Sequence, residues 1–230
     1  MRTIGVLGGI TWHSAAEYYR LLNTLANERA GGIHAARCVL FSVDVGEIDP
    51  LLHTEQWDEA GRMLAADARA VEAAGADVFV LACNTLHNVW DTIVADLTIP
   101  SIHIGDAAGD ALVRDDRRRV ALLGTSYTMT LPFLRERIAA RGIDVVVPDE
   151  ALHERIDRTI FDEFTHGVFS DETRGFYQDV VAALDADAVL FACTELGLLL
   201  APGDLDVPIY DTAYVHAQAV VDYALPARAT

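Results

Sequence analysis

Apolar positions gather in short runs along the chain instead of forming one long stretch. The runs are Ile4–Leu7, Cys38–Val45, Asp77–Ala82, Ile102–Ile104, Val120–Leu123, Val145–Val147, Ala188–Ala192 and Val207–Tyr210. Their length and β-branched content predict strands. Between them lie longer segments with helical patterning, and such alternation predicts an α/β fold built on parallel sheets. Helix boundaries are marked as well. Ser14-Ala15-Ala16-Glu17 has the form of a capping box, and Gly75 and Gly142 stand where helix C-caps belong.

The runs also repeat. Ile4-Gly5-Val6-Leu7-Gly8-Gly9 is answered by Val120-Ala121-Leu122-Leu123-Gly124-Thr125, each a strand entering a glycine turn. Val78-Phe79-Val80-Leu81-Ala82-Cys83-Asn84-Thr85 is answered, about 110 residues on, by Ala188-Val189-Leu190-Phe191-Ala192-Cys193-Thr194-Glu195. Ile99-Pro100 and Val207-Pro208 follow at similar distances. Two pseudo-symmetric lobes are expected, residues 1–98 with 212–230 carrying Cys83 and residues 99–211 carrying Cys193. Loops at the carboxyl ends of parallel strands make the cleft between such lobes the natural site.

Composition narrows the chemistry. With 52% apolar and 23% charged residues in 230, the chain is globular and not disordered. A formal charge of -18 argues against nucleic acid and anionic membrane surfaces as partners. The sequence contains no lysine, so all 17 basic residues are arginine. That closes Schiff-base chemistry, pyridoxal phosphate included, and P-loop nucleotide binding, because arginine cannot supply a neutral amine. The first strand begins too near the N-terminus for a signal peptide, and no run is long enough to span a membrane. Cys38, Cys83 and Cys193 are odd in number and widely spaced, which points to reduced thiols and a cytoplasmic protein. No recognised metal-ligand spacing occurs, so no metal is expected.

Candidate chemistry centres on the repeated cysteines. Cys83 and Cys193 each end an apolar strand, so each is expected on a strand-to-helix turn, where helix N-H groups lower a thiol pKa. Cys38 lies inside a strand and reads as a buried apolar thiol. Asn84-Thr85 and Thr194-Glu195 read as helix caps whose groups could also converge on a carboxylate. His87 and Glu195 stand where either could orient a thiol or accept its proton. The loop Gly8-Gly9-Ile10-Thr11-Trp12 lacks the spacing of a dinucleotide loop. The run Arg114–Arg119 is mixed in sign and reads as a solvated turn.

These motifs together resemble the aspartate/glutamate racemase family. The resemblance spans nearly the whole chain and rests on Leu7-Gly8-Gly9, Ala82-Cys83-Asn84-Thr85-Leu86-His87, Leu123-Gly124-Thr125 and Ala192-Cys193-Thr194-Glu195. The glycine loop, with Tyr18-Tyr19-Arg20 and Ser126-Tyr127-Thr128-Met129, is similar to a bacterial branch of broad amino-acid racemases. The resemblance implies two Rossmann-like, flavodoxin-like lobes and racemisation without a cofactor. One thiolate removes the α-proton and a thiol on the opposite face returns one, the pair being Cys83 and Cys193. Asn84, Thr85, Thr125 and Thr194 match positions that hold the α-carboxylate, and Gly9, Thr11 and Glu195 complete the expected substrate contacts, with His87 behind them. Acid-specific members grip the distal carboxylate with basic residues. Here the corresponding segment reads Ser42-Val43-Asp44-Val45-Gly46 and no lysine exists, which implies neutral, polar or broad substrates. The expected partner is an amino acid, with a homodimer as one assembly. A hydantoin racemase, a maleate-type isomerase and a non-catalytic amino-acid binder remain alternatives on the same fold.

Overall fold

The computed structural model of the chain describes residues 1–9 and 11–226. Ile10 of the glycine loop and the last residues of the predicted 212–230 segment lie outside them. The chain divides into two units, Met1–Ile104 with His216–Thr230, and Gly105–Val215.

In the first unit, β1 (Ile4–Leu7) lies between β2 (Cys38–Phe41) and β3 (Val78–Leu81), all parallel. Ile4–Leu7 and Val78–Leu81 are buried along their whole length. Parallel strands covered on both faces read as unbroken apolar runs, hence their legibility. Burying each Val, Leu, Ile or Phe side chain here is worth about 1.5–3 kcal/mol. Beyond β3 the Phe79 N-H donates to the Pro100 carbonyl (2.8 Å) and the Ile102 N-H donates to the Phe79 carbonyl (3.1 Å).

The second unit repeats the plan. Its sheet runs β5 (Asp144–Val146), β4 (Arg119–Leu123), β6 (Ala188–Phe191), β7 (Ile209–Asp211), again parallel. The Val189 N-H donates to the Pro208 carbonyl (3.0 Å), as Phe79 does to Pro100. The sequence echo is therefore a structural repeat down to single backbone bonds.

Some expected elements shift. Ile102–Ile104 is not a strand. Pairing stops at one bridge through Ser101, and the helix Ile104–Arg114 opens as the Ile104 N-H turns to a histidine nitrogen. The strand expected over Cys38–Val45 ends at Phe41, because the Asp44 carboxylate accepts the Gly46 N-H (2.9 Å) and caps the helix Val45–His53. Cys38 is half-buried on that edge strand, not enclosed. The capping box at Ser14 is not formed. The helix Trp12–Ala30 starts earlier, with Thr11 at the N-cap position, and the Ser14 hydroxyl donates back to the Thr11 carbonyl (2.8 Å). Gly75 and Gly142 do follow helix ends with φ of 95° and 81°, a left-handed backbone that glycine adopts without strain. Among the described residues no helix is long and apolar enough to cross a membrane.

Candidate active site

The same turn is built in both units. Past the end of β3 the Ala82 N-H donates to the Leu7 carbonyl (2.9 Å), and past β6 the Ala192 N-H donates to the Leu123 carbonyl (2.7 Å). The next residue in each case is the cysteine, released from the sheet at its carboxyl edge. Both cysteines are half-buried thiols, and each packs against the apolar core of its own unit.

A glycine makes room for each turn. A Cβ at Gly9 would lie 2.3 Å from the Ala82 carbonyl oxygen, 2.5 Å from Ser14 Oγ and 3.0 Å from Cys83 Cβ. Only glycine brings the first loop this close to the thiol turn. A Cβ at Gly124 would meet the Ala192 carbonyl oxygen at 3.1 Å. The glycine loop thus meets the Cys83 turn at Gly9, and Thr11 stands two residues on, half-buried at the helix start.

The helices after the cysteines are short. Thr85–Val89 is a 3-10 turn and Leu196–Leu199 a single α-turn. Neither the Asn84 nor the Glu195 side chain caps the helix that follows it. The capping expectation for these pairs is corrected, because both residues already adopt helical backbone angles. Thr85 is buried. Thr125 does cap its helix, Ser126–Thr130, although its hydroxyl is 3.4 Å from the Thr128 N-H.

In the second unit, Glu195 Oε2 accepts the Cys193 thiol (3.0 Å) and the Thr194 hydroxyl (2.7 Å). Burial and then the Glu195 carboxylate push the Cys193 thiol well above its ordinary pKa. This corrects the expectation of a lowered pKa. A turn this short has little dipole to offer, and a carboxylate in contact outweighs it. Asp211, at the end of β7, adds to the same effect.

In the first unit His87 is buried, and both of its ring nitrogens are engaged by backbone. Nδ1 lies 2.6 Å from the Cys83 carbonyl oxygen, and Nε2 accepts the Ile104 N-H at 3.2 Å. The ring stacks on Trp90, with centroids 4.9 Å apart.

Several supporting residues carry no local sequence signal. Asp157 accepts both the Ser126 N-H (2.8 Å) and the Ser126 hydroxyl (2.5 Å), pinning the loop after β4. The buried Tyr177 hydroxyl donates to Thr159 Oγ1 (2.8 Å), which itself donates to the Ile156 carbonyl. In the first unit, His216 Nε2 donates to the Ile102 carbonyl and Nδ1 accepts the Tyr18 hydroxyl, each at 2.8 Å. Burial lowers the His216 pKa to about 4. No group of three or more His, Cys, Asp or Glu among the described residues is arranged to hold a metal ion.

Comparison with known proteins agrees with these features. The chain is 24% identical over 169 residues to the broad specificity amino-acid racemase RacX of Bacillus subtilis, covering 71% of this chain and 72% of that protein. It superposes with a TM-score of 0.92 on the crystal structure of a candidate Asp/Glu racemase from Yersinia pestis, at 37% identity over 98% of this chain and 100% of that one. An aspartate racemase homologue from Pyrococcus horikoshii gives a TM-score of 0.87 at 28% identity, over 97% and 99% of the two chains. The profile of the Asp/Glu/hydantoin racemase family matches residues 7–220, nearly the whole chain. The chain belongs to the Asp/Glu/hydantoin racemase family.

Proposed function

We propose that the protein is an amino-acid racemase that needs no cofactor, with Cys83 and Cys193 as its two proton-transfer groups. The observation that carries this is the repeated turn, a half-buried cysteine just past the carboxyl end of a fully buried parallel strand in each unit, β3 in the first and β6 in the second. The two turns differ in a useful way. Cys193, beside Glu195, rests as a thiol and is the acid. Cys83 acts as the thiolate base.

In the forward direction the Cys83 thiolate takes the α-proton, and the electron pair of the C-H bond passes into the substrate carboxylate. The Cys193 S-H bond then breaks as its proton reaches the opposite face of the α-carbon. Inverted product leaves a Cys83 thiol and a Cys193 thiolate, and reaction of the other enantiomer restores the first state. Asn84, Thr85, Thr125 and Thr194 hold the α-carboxylate, and Gly9 and Thr11 border it. With Asp44 committed to a helix cap and no lysine in the chain, neutral, polar or broad substrates are preferred over aspartate and glutamate. A cytoplasmic enzyme, assembling as a homodimer, completes this reading.

The test is a screen of single L-amino acids for α-deuterium uptake in D₂O, without pyridoxal phosphate and after dialysis against a chelator, with hydantoins assayed alongside. Uptake accompanied by racemisation of free amino acids is expected. Turnover of hydantoins alone, or turnover restored only by a divalent metal, would overturn the proposal.

A further inference from the structure

The buried histidines of the first unit do a different job from proton transfer at the thiol. His87 Nε2 accepts a backbone N-H, so the ring is neutral and its single proton sits on Nδ1, which donates to the Cys83 carbonyl. Its one lone pair is already used, which removes it as a base. Ile104, the residue it holds on the other side, is where the chain leaves the first unit, and it opens the helix Ile104–Arg114. Two residues earlier, the Ile102 carbonyl accepts His216 Nε2, and His216 is where the chain returns to the first unit. The backbone at 102–104 is therefore held from two directions. His103, also buried, sets its ring edge-on against His87 (4.5 Å between centroids) and Trp90 (5.1 Å), which keeps the His87 ring in one plane.

We infer that His87 is a positioning residue, a neutral Nδ1-H imidazole that ties the Cys83 carbonyl to the Ile104 amide and so sets the backbone of the thiol turn from the point where the chain crosses between units. This rests on the assignment of Cys83 as a proton-transfer residue. A misplacement of about 1 Å at a reacting group costs roughly a hundredfold in rate, so a brace on the carbonyl of that residue matters to turnover.

The test uses the full chain. His87→Phe keeps a ring against Trp90 and removes both hydrogen bonds, while His87→Gln retains a donor and an acceptor. The phenylalanine variant is expected to lose about a hundredfold in kcat with KM changed by less than about threefold, and the glutamine variant to recover part of the loss. Alkylation separates positioning from general weakening. With Cys38 and Cys193 both replaced by serine, His87→Phe should change the rate of Cys83 alkylation at least about fivefold; with Cys38 and Cys83 replaced instead, the rate at Cys193 should stay within about twofold. Nitrogen-15 NMR of the otherwise unmodified chain should find His87 protonated on Nδ1 and His216 on Nε2, and this holds as a test even where a variant fails to fold. Parent-level kcat and Cys83 alkylation in His87→Phe, equal changes at both thiols, or a His87 proton on Nε2 would overturn the inference. Should the parent racemise nothing, the alkylation contrast and the tautomers still decide the positioning role on their own.

Discussion

The two cysteine turns begin alike and diverge within a few residues. Each cysteine leaves a fully buried strand after the same backbone bond from an alanine. In the second unit the next side chains bring a carboxylate onto the sulfur, with Glu195 accepting from Cys193 and holding it protonated. In the first unit the nearby titratable group is an imidazole, and it braces the peptide backbone instead. On the proposed mechanism, one scaffold used twice supplies the acid in the second unit and the base in the first. A reaction that removes a proton from one face and delivers one to the other needs this inequality in the resting enzyme.

Breaking either turn tests the comparison most severely. Cys83→Ser and Cys193→Ser should each lower racemisation by about 10³-fold, because a hydroxyl is too weakly acidic to replace a thiol in proton transfer. Polarimetry or chiral chromatography reads the loss, and parent-level turnover in both variants would remove the cysteines from the mechanism.

The buried imidazole of His216 should show in the first unit's response to acid. His216 is held neutral in the fold, its pKa lowered from 6.5 to about 4, so the unfolded chain binds the proton first as pH falls. The associated stability is complete above pH 6.5 and is lost between there and about pH 4, on the order of 3 kcal/mol in all. Urea denaturation from pH 7 to 4.5 should therefore have a shallower pH slope in His216→Phe than in the parent. Equal slopes would show that the imidazole is not held neutral.

Alanine at the two loop glycines grades the turns by closeness. Gly9→Ala forces a Cβ to 2.3 Å from a backbone oxygen and should cost about 3 kcal/mol, while Gly124→Ala, at 3.1 Å, should cost about 1 kcal/mol. Thermal denaturation of the pair checks the order.

Glu195→Gln sharpens the electrostatic half of the comparison. Removing the anion lowers the Cys193 pKa, so alkylation of that thiol at pH 8 should speed up about tenfold while racemisation slows. Unchanged alkylation would separate Glu195 from the thiol. The smallest effect is expected of Cys38→Ser, which should leave kcat at the parent value and cost about 1 kcal/mol or less, since Cys38 is only half-buried on an edge strand.

The repeat, the parallel strands and the paired cysteines are legible in the sequence because buried strands of this kind leave unbroken apolar runs, and the turn residues mark where they end. What escapes is set by distance along the chain. His216 meets Ile102 across 114 positions and Asp157 meets Ser126 across 31, so no local window contains either bond. The capping box at Ser14 misleads for the opposite reason. Its four letters are local, while the helix start is set by a glycine loop pressed against Ala82 and Cys83. The thiol pKa at Cys193 is misjudged from strand and helix positions alone, because it is set by burial and then by the carboxylate two residues on.

The most direct measurement follows α-hydrogen exchange from each pure enantiomer in D₂O with the two single-thiol variants. With one thiol left, Cys83→Ser and Cys193→Ser should each exchange deuterium into one enantiomer without inverting it, and the preferred enantiomer should be opposite for the two. Exchange with the same enantiomer preference in both variants, or undiminished inversion in either, would contradict proton transfer by Cys83 and Cys193 from opposite faces.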